Sequence, residues 1–131
     1  MFRLSSPLFS EGDFPAVKLN GWGAPLKTMF CLVLSTAKNR REALRIGRRL
    51  VEEGLAGCVT VIPACVSVYR WRGRMERSNE AVMLIKTRKG KLRSLVGRLK
   101  EIHSYEVPEV LVLEISGGSG EYLEWLRKET E

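Results

Sequence analysis

Two short segments, AVMLI at 81–85 and VLVL at 110–113, put apolar side chains at consecutive positions. Successive side chains of a strand point to opposite faces, so both faces of these strands are apolar and both need a cover. That requirement excludes a simple sheet with one wet face. It calls for helices on one side and something else on the other.

The helices are readable from their spacing. After a strand-length apolar run at 29–35 (MFCLVLS), Asn39 followed three residues later by Glu42 has the form of a capping box. Ala43, Leu44, Gly47, Leu50 and Val51 then recur at helical spacing with arginines between them, and Gly54 stops the helix. Residues 57–71 form a long β-prone stretch in which Pro63 forces a bend or an edge. Arg72-Gly73 marks a turn, and residues 80–87 return as a third strand. Leu92, Leu95, Val96 and Leu99 form the stripe of a second helix over 91–103. Residues 110–115 form a fourth strand, SGGS a loop, and 121–129 a short last helix. The order predicts an α+β fold, a ferredoxin-like βαββαβ sandwich with an extended β2–β3 hairpin and a C-terminal helix. Its two main helices cover one sheet face. The last helix covers part of the other, and further copies of the chain are the simplest remaining cover.

Residues 1–28 hold Pro7, Pro15 and Pro25 among glycines and serines without a sustained period. They are expected to be a flexible extension, with Met29 as an alternative start and 29–131 as the folded domain. The three cysteines, Cys31, Cys58 and Cys65, form no CxxC pair. An odd count without spacing argues against a disulfide framework; buried thiols and a reducing, cytoplasmic setting are expected. No apolar run is long enough to span a bilayer. Glutamine is absent and ion-pairing residues are plentiful, which leans toward a thermophilic source. The net charge of +7 is read first as a solvated, arginine-rich helical face. RNA is not an expected partner, because the central strands offer no aromatic platform.

The ordered set LAGCVTVIP (55–63), Tyr69-x-Trp71-x-Gly73, Glu80, IKT (85–87), His103-x-Tyr105-x-x-Pro108-Glu109 and Tyr122-Leu123-x-x-Leu126 around Trp125 resembles the CutA divalent-cation tolerance family. The resemblance runs from about Met29 to Arg127. It implies a homotrimer, held in part by the Tyr69–Gly73 hairpin, with a role in divalent-metal or copper tolerance. Some members carry a cysteine where this chain has Ser35 and paired histidines where it has Ile102-His103. They often carry proline where it has Ser104 and glycine where it has Ala64. Two of three proposed copper ligands are thus absent, since a serine hydroxyl is a poor ligand for soft copper and isoleucine is none.

His103, the only histidine, is the metal-ligand candidate, with a helix-terminal structural role as its alternative. Trp71, Glu80, Lys86, Tyr105 and Glu109 are candidates for a ligand pocket between subunits. Lys86 must reach solvent or a carboxylate such as Glu80 or Glu109. No cofactor is required; copper or another divalent cation is the expected ligand. An anion or small-ligand sensor using Lys86, Arg70 and Arg72 is the competing reading. No nucleophile elbow, P-loop, dinucleotide fingerprint or zinc-protease motif is present, so nothing supports an enzyme.

Overall fold

The computed structural model describes residues 29–131. The expectations for 1–28 and for Met29 as a start lie outside the described residues or are not a matter of structure. The element order is β1 (Phe30–Ala37), α1 (Arg40–Glu52), β2 (Cys58–Trp71), β3 (Arg74–Arg88), a 3-10 turn (Lys89–Lys91), α2 (Leu92–Ile102), β4 (Leu111–Glu114) and α3 (Gly120–Glu129). The strands form one antiparallel sheet in the order β2-β3-β1-β4. This is the expected ferredoxin-like α+β arrangement.

The core lies between the sheet and the first two helices. Val33, Ala37, Ala81, Met83 and Ile85 meet Ala43, Ile46, Leu50, Leu95 and Leu99, all fully buried. The register pairs Val33 with Ile85 and Ala37 with Ala81, so these side chains share a face. On α1 the buried set is Glu42, Ala43, Ile46, Gly47 and Leu50. Leu44 and Val51, expected in that stripe, are exposed. Arginines border both of them, and the helix turns its more continuous apolar side inward.

The second sheet face is partly closed by α3. Leu126 is fully buried there, against Gly57, where a Cβ would stand 2.4 Å from Leu126 Cδ1. Arg88 ties α3 down by donating from Nε to Thr130 Oγ1 at 2.9 Å and from a second nitrogen to the Thr130 carbonyl.

The third strand begins at Arg74, well before the expected residue 80. Residues 74–79 (RMERSN) are mostly polar and carry no apolar alternation, so only pairing with 66–71 reveals them as strand. The turn is as short as a hairpin permits: Arg72 and Gly73 both have positive φ (51° and 80°) between the paired Trp71 and Arg74. Beyond Glu80, β3 pairs only with β2, and the hairpin projects from the sheet as a two-stranded ribbon.

At Pro63 the strand continues through a bulge between Ile62 and Cys65. Ala64 adopts φ 59° there, a left-handed conformation that crowds the alanine Cβ against a backbone carbonyl oxygen. Ala64→Gly is expected to raise stability by about 0.5–1 kcal/mol. A higher urea midpoint with an unchanged slope is the result that checks it.

Candidate functional site

Where the ribbon leaves the sheet, the segment after α2 folds against it. Alternation puts Tyr69 and Trp71 of β2 on the same ribbon face as Ser78 and Glu80 of β3. Opposite them run Ser104 to Val107 and Glu109, with Thr36 at the end of β1. Between the two walls is a cavity of about 810 Å³. Trp71, Glu80, Tyr105 and Glu109, singled out separately along the chain, all line it.

Hydrogen bonds hold both walls. Tyr105 Oη donates to Glu80 Oε2 at 2.7 Å, and Tyr69 Oη and Ser78 Oγ lie 2.7 Å apart across the ribbon. Burial pushes the Tyr105 hydroxyl well above its ordinary pKa, and the bond to the Glu80 carboxylate pushes it further. It therefore stays a donor. Burial raises the Glu109 carboxyl as well, and the charge of Glu80 adds to that rise. The cavity carries Glu80, Glu106 and Glu109 against a single cation, Arg72, whose guanidinium carbon lies 5.6 Å from the Trp71 ring centroid.

His103 positions one wall. It caps α2 with extended backbone, and its ring is buried. Nε2 lies 2.6 Å from the Thr36 carbonyl, so it carries the proton and donates. Nδ1 accepts the Tyr105 N–H at 3.0 Å. The ring fixes where Tyr105 leaves the helix, and the two ring centroids are 4.8 Å apart. Both ring nitrogens are used, so no lone pair is open to a metal. Ser35 is also committed: its hydroxyl donates to the Glu109 carbonyl at 2.6 Å. Ile102 offers no donor atom. The positions compared with copper-ligating ones therefore do not fit copper. Among the described residues, no group of three or more His, Cys, Asp or Glu is arranged to hold a metal ion.

Lys86 lies apart from the cavity. Its ammonium bonds Thr60 Oγ1 and approaches Cys58 Sγ at 3.6 Å, on the sheet proper. The carboxylates expected as its partners, Glu80 and Glu109, are not bonded to it. The register explains this: Lys86 pairs with Cys58, six residues along β3 from Glu80. Within one chain, Lys86 is therefore not brought together with Arg70 and Arg72. Arg70 instead donates to the Gly73 carbonyl at 3.4 Å. All three cysteines are free; Cys31 is buried, but Cys58 and Cys65 are only half-buried, against expectation, because β2 is the edge of the sheet.

One supporting residue was visible only as a cap. Glu42 accepts the Lys38 N–H at 3.2 Å and, across the molecule, the Ser104 N–H at 2.9 Å. Burial raises its pKa, but these bonds outweigh the burial and hold the carboxyl below 4.5. The Asn39–Glu42 spacing signals the helix start, and Asn39 Oδ1 does accept the Glu42 N–H at 2.8 Å. Nothing local announces the reach to Ser104.

The family described as CutA1 divalent ion tolerance protein matches residues 31–129. The divalent-cation tolerance protein CutA of Thermus thermophilus is 41% identical over 99 residues, covering 76% of this chain and 96% of that protein. The chloroplastic protein CutA of Arabidopsis thaliana is 40% identical over 99 residues (76% of this chain), and the human protein CutA 40% over 96 (73%). The matched region spans about half the length of these two, 54% of each. Among solved structures, CutA from Xylella fastidiosa superposes with a TM-score of 0.78 at 38% identity, covering 79% of this chain and all of that one. The Thermus thermophilus structure gives 0.77 at 41% identity, with the same coverage of both chains. One relative is described as chloroplastic and another, from Archaeoglobus fulgidus, as periplasmic. Among the described residues no helix is long and apolar enough to cross a membrane.

Proposed function

Because the chain belongs to the CutA1 divalent ion tolerance family, we propose that it acts in divalent-cation tolerance as a cytoplasmic homotrimer that meets its cation at the acidic cavity beneath the hairpin. The observation carrying the cation site is the convergence of Glu80, Glu106 and Glu109 on one cavity that Arg72 alone lines with a positive charge; burial, and then the charge of Glu80, disfavour ionisation of Glu109 there. A cation relieves that repulsion. Oxygen donors of this kind suit harder divalent ions rather than soft copper(I). Water or a neighbouring copy completes the coordination.

Open edges support the assembly. β2 and β4 are the two outer strands, and each leaves a row of backbone groups unpaired on its outer side. Pairing one copy's β2 edge with the next copy's β4 edge is a head-to-tail contact, the kind that builds a ring when the rotation between copies closes. The number three rests on the family resemblance. Three free thiols support a reducing compartment. No reaction is part of the proposal.

The test is a melting-temperature titration with Mn(II), Zn(II) and Cu(II) on the wild type, Glu109→Gln and His103→Gln. The Mn(II) and Zn(II) shifts are expected to vanish in Glu109→Gln and to persist in His103→Gln, whose amide can still serve Thr36 and Tyr105. Protons compete with the cation for Glu109, whose pKa is raised by burial and by the charge of Glu80, so wild-type shifts fade on acidification sooner than they would at an ordinary carboxylate. Shifts that survive Glu109→Gln but disappear in His103→Gln sink the site.

A further inference from the structure

The three thiols stand in different surroundings. Cys31 is buried, and its Sγ donates to the Thr87 carbonyl at 3.9 Å. Burial pushes that thiol up to about 11. Cys65 is half-buried, and its Sγ donates to the carbonyls of Ile62 at 3.5 Å and Pro63 at 3.8 Å. Bonds of this kind use the S–H, so they hold the sulfur as a thiol, its less nucleophilic form. Cys58 differs. Its sulfur accepts from the Lys86 ammonium at 3.6 Å, and the Thr60 hydroxyl lies 3.8 Å away. Burial, and then the neighbouring Cys58, push the Tyr122 hydroxyl of α3 above its ordinary pKa, so Tyr122 stays a donor toward the same sulfur. One cation and two hydroxyls surround a sulfur that is half open to solvent. Reactive cysteines sit in surroundings like these, electropositive and partly exposed.

Register puts the lysine there. Lys86 pairs with Cys58 across β3 and β2, so both side chains leave the sheet on the same face, the one that α3 partly closes. On its other side Lys86 pairs with Leu32 of β1, which offers the ammonium no charge. Thr60 Oγ1 accepts a second bond from the ammonium and keeps the nitrogen beside the sulfur.

We infer that Cys58 is an oxidation site whose product is captured by Lys86. The oxidant is hydrogen peroxide. An S–O bond forms as the O–O bond breaks and water leaves, which gives the sulfenic acid. The Lys86 nitrogen loses a proton to water and attacks that sulfur with its lone pair. An S–N bond forms, the S–O bond breaks, and the oxygen leaves as a second water, giving a sulfenamide. The sulfur gives up two electrons in all, peroxide is reduced to water, and the chain loses two hydrogens. A dithiol reverses the link: one thiol displaces the nitrogen from the sulfur, and the second frees Cys58 by closing a disulfide in the reductant. The link removes the Lys86 charge from the sheet face that α3 and other copies are left to cover. It uses no residue of the acidic cavity, so it stands or falls apart from the cation site.

Mass spectrometry of the intact, assembled protein after treatment with hydrogen peroxide tests it. Digestion is expected to give a fragment joining the Cys58 and Lys86 peptides, lighter by two hydrogens than their sum, and dithiothreitol is expected to abolish it. Lys86→Arg keeps a cation beside the sulfur but removes the nucleophilic amine. Its Cys58 sulfenic acid is expected to persist and to take up at least about fivefold more dimedone than the wild type. Cys58 is expected to oxidise at least about tenfold faster than Cys65, with Cys31 reduced until the chain unfolds. Cys65→Ser is a second variant, expected to leave the link unchanged, and circular dichroism checks that both variants fold. Equal oxidation of Cys58 and Cys65 overturns the inference, as does a disulfide in place of the S–N link. Equal dimedone labelling of the wild type and Lys86→Arg overturns it too. So does a link that forms as fast in urea-unfolded protein, because the fold would then contribute nothing.

Discussion

Leu50→Ala is expected to destabilise the fold by about 2–5 kcal/mol, whereas Leu44→Ala on the same helix should cost less than about 0.5 kcal/mol. Leu50 is fully buried within the cluster formed with Ile46, Met83, Ile85, Leu95 and Leu99. Removing three carbons there leaves a cavity that the close-packed sheet and helix cannot fill. Leu44 is 41% exposed on the arginine face and loses little when shortened. Urea unfolding at one fixed protomer concentration measures both, which keeps self-association from distorting the comparison. Similar costs for the two substitutions would mean that α1 is rotated from the orientation described.

Val68→Asp combined with Met75→Asp is expected to separate the proposed trimer into monomers without unfolding them. Val68 and Met75 are 65% and 71% exposed in the single chain, and Val66 and Trp71 nearby are also exposed. An apolar ribbon of this kind, carried on an open edge strand, is a liability unless another copy covers it. A charge at each position costs the isolated chain almost nothing, because neither side chain is buried in it. At an interface the same charges would be desolvated without partners. Light scattering gives the mass, and circular dichroism the fold. An unchanged mass would remove the hairpin from the assembly.

The two tests separate what is local from what is not. α1 was legible as a helix from Asn39, Glu42 and the recurrence of Ala43, Gly47 and Leu50, because capping and periodicity act within a few residues. Its rotation is not legible in this way: Leu44 and Val51 fit helical spacing as well as Ile46 does, yet they are exposed and Ile46 is buried. Only the shape of the sheet beneath them chooses. The β3 segment 74–79 carries no strand signal of its own, because its strand character comes from the partner it pairs with and not from its side chains.

The cavity divides in the same way. Trp71, Glu80, Tyr105 and Glu109 could be named as candidates from a resemblance, but their meeting depends on the bulge at Ile62–Cys65, the ribbon beyond Glu80 and the turn after α2. Lys86 shares β3 with Glu80, but six residues of strand separate them and its ammonium meets Thr60 instead. His103 is the sharpest case. Its residue type permits metal binding, proton transfer or a structural role equally. The Thr36 carbonyl and the Tyr105 N–H, neither encoded by a side chain, occupy both ring nitrogens.

Strand alternation and helix periodicity depend only on neighbours along the chain, so the element order and the demand for cover on both sheet faces follow from the order of residues. The tertiary structure alone decided how much of that demand α3 meets through Leu126 and how much the hairpin leaves open. It also decided which polar atoms remain free, because hydrogen bonds between distant segments are settled by packing rather than by the residues that make them.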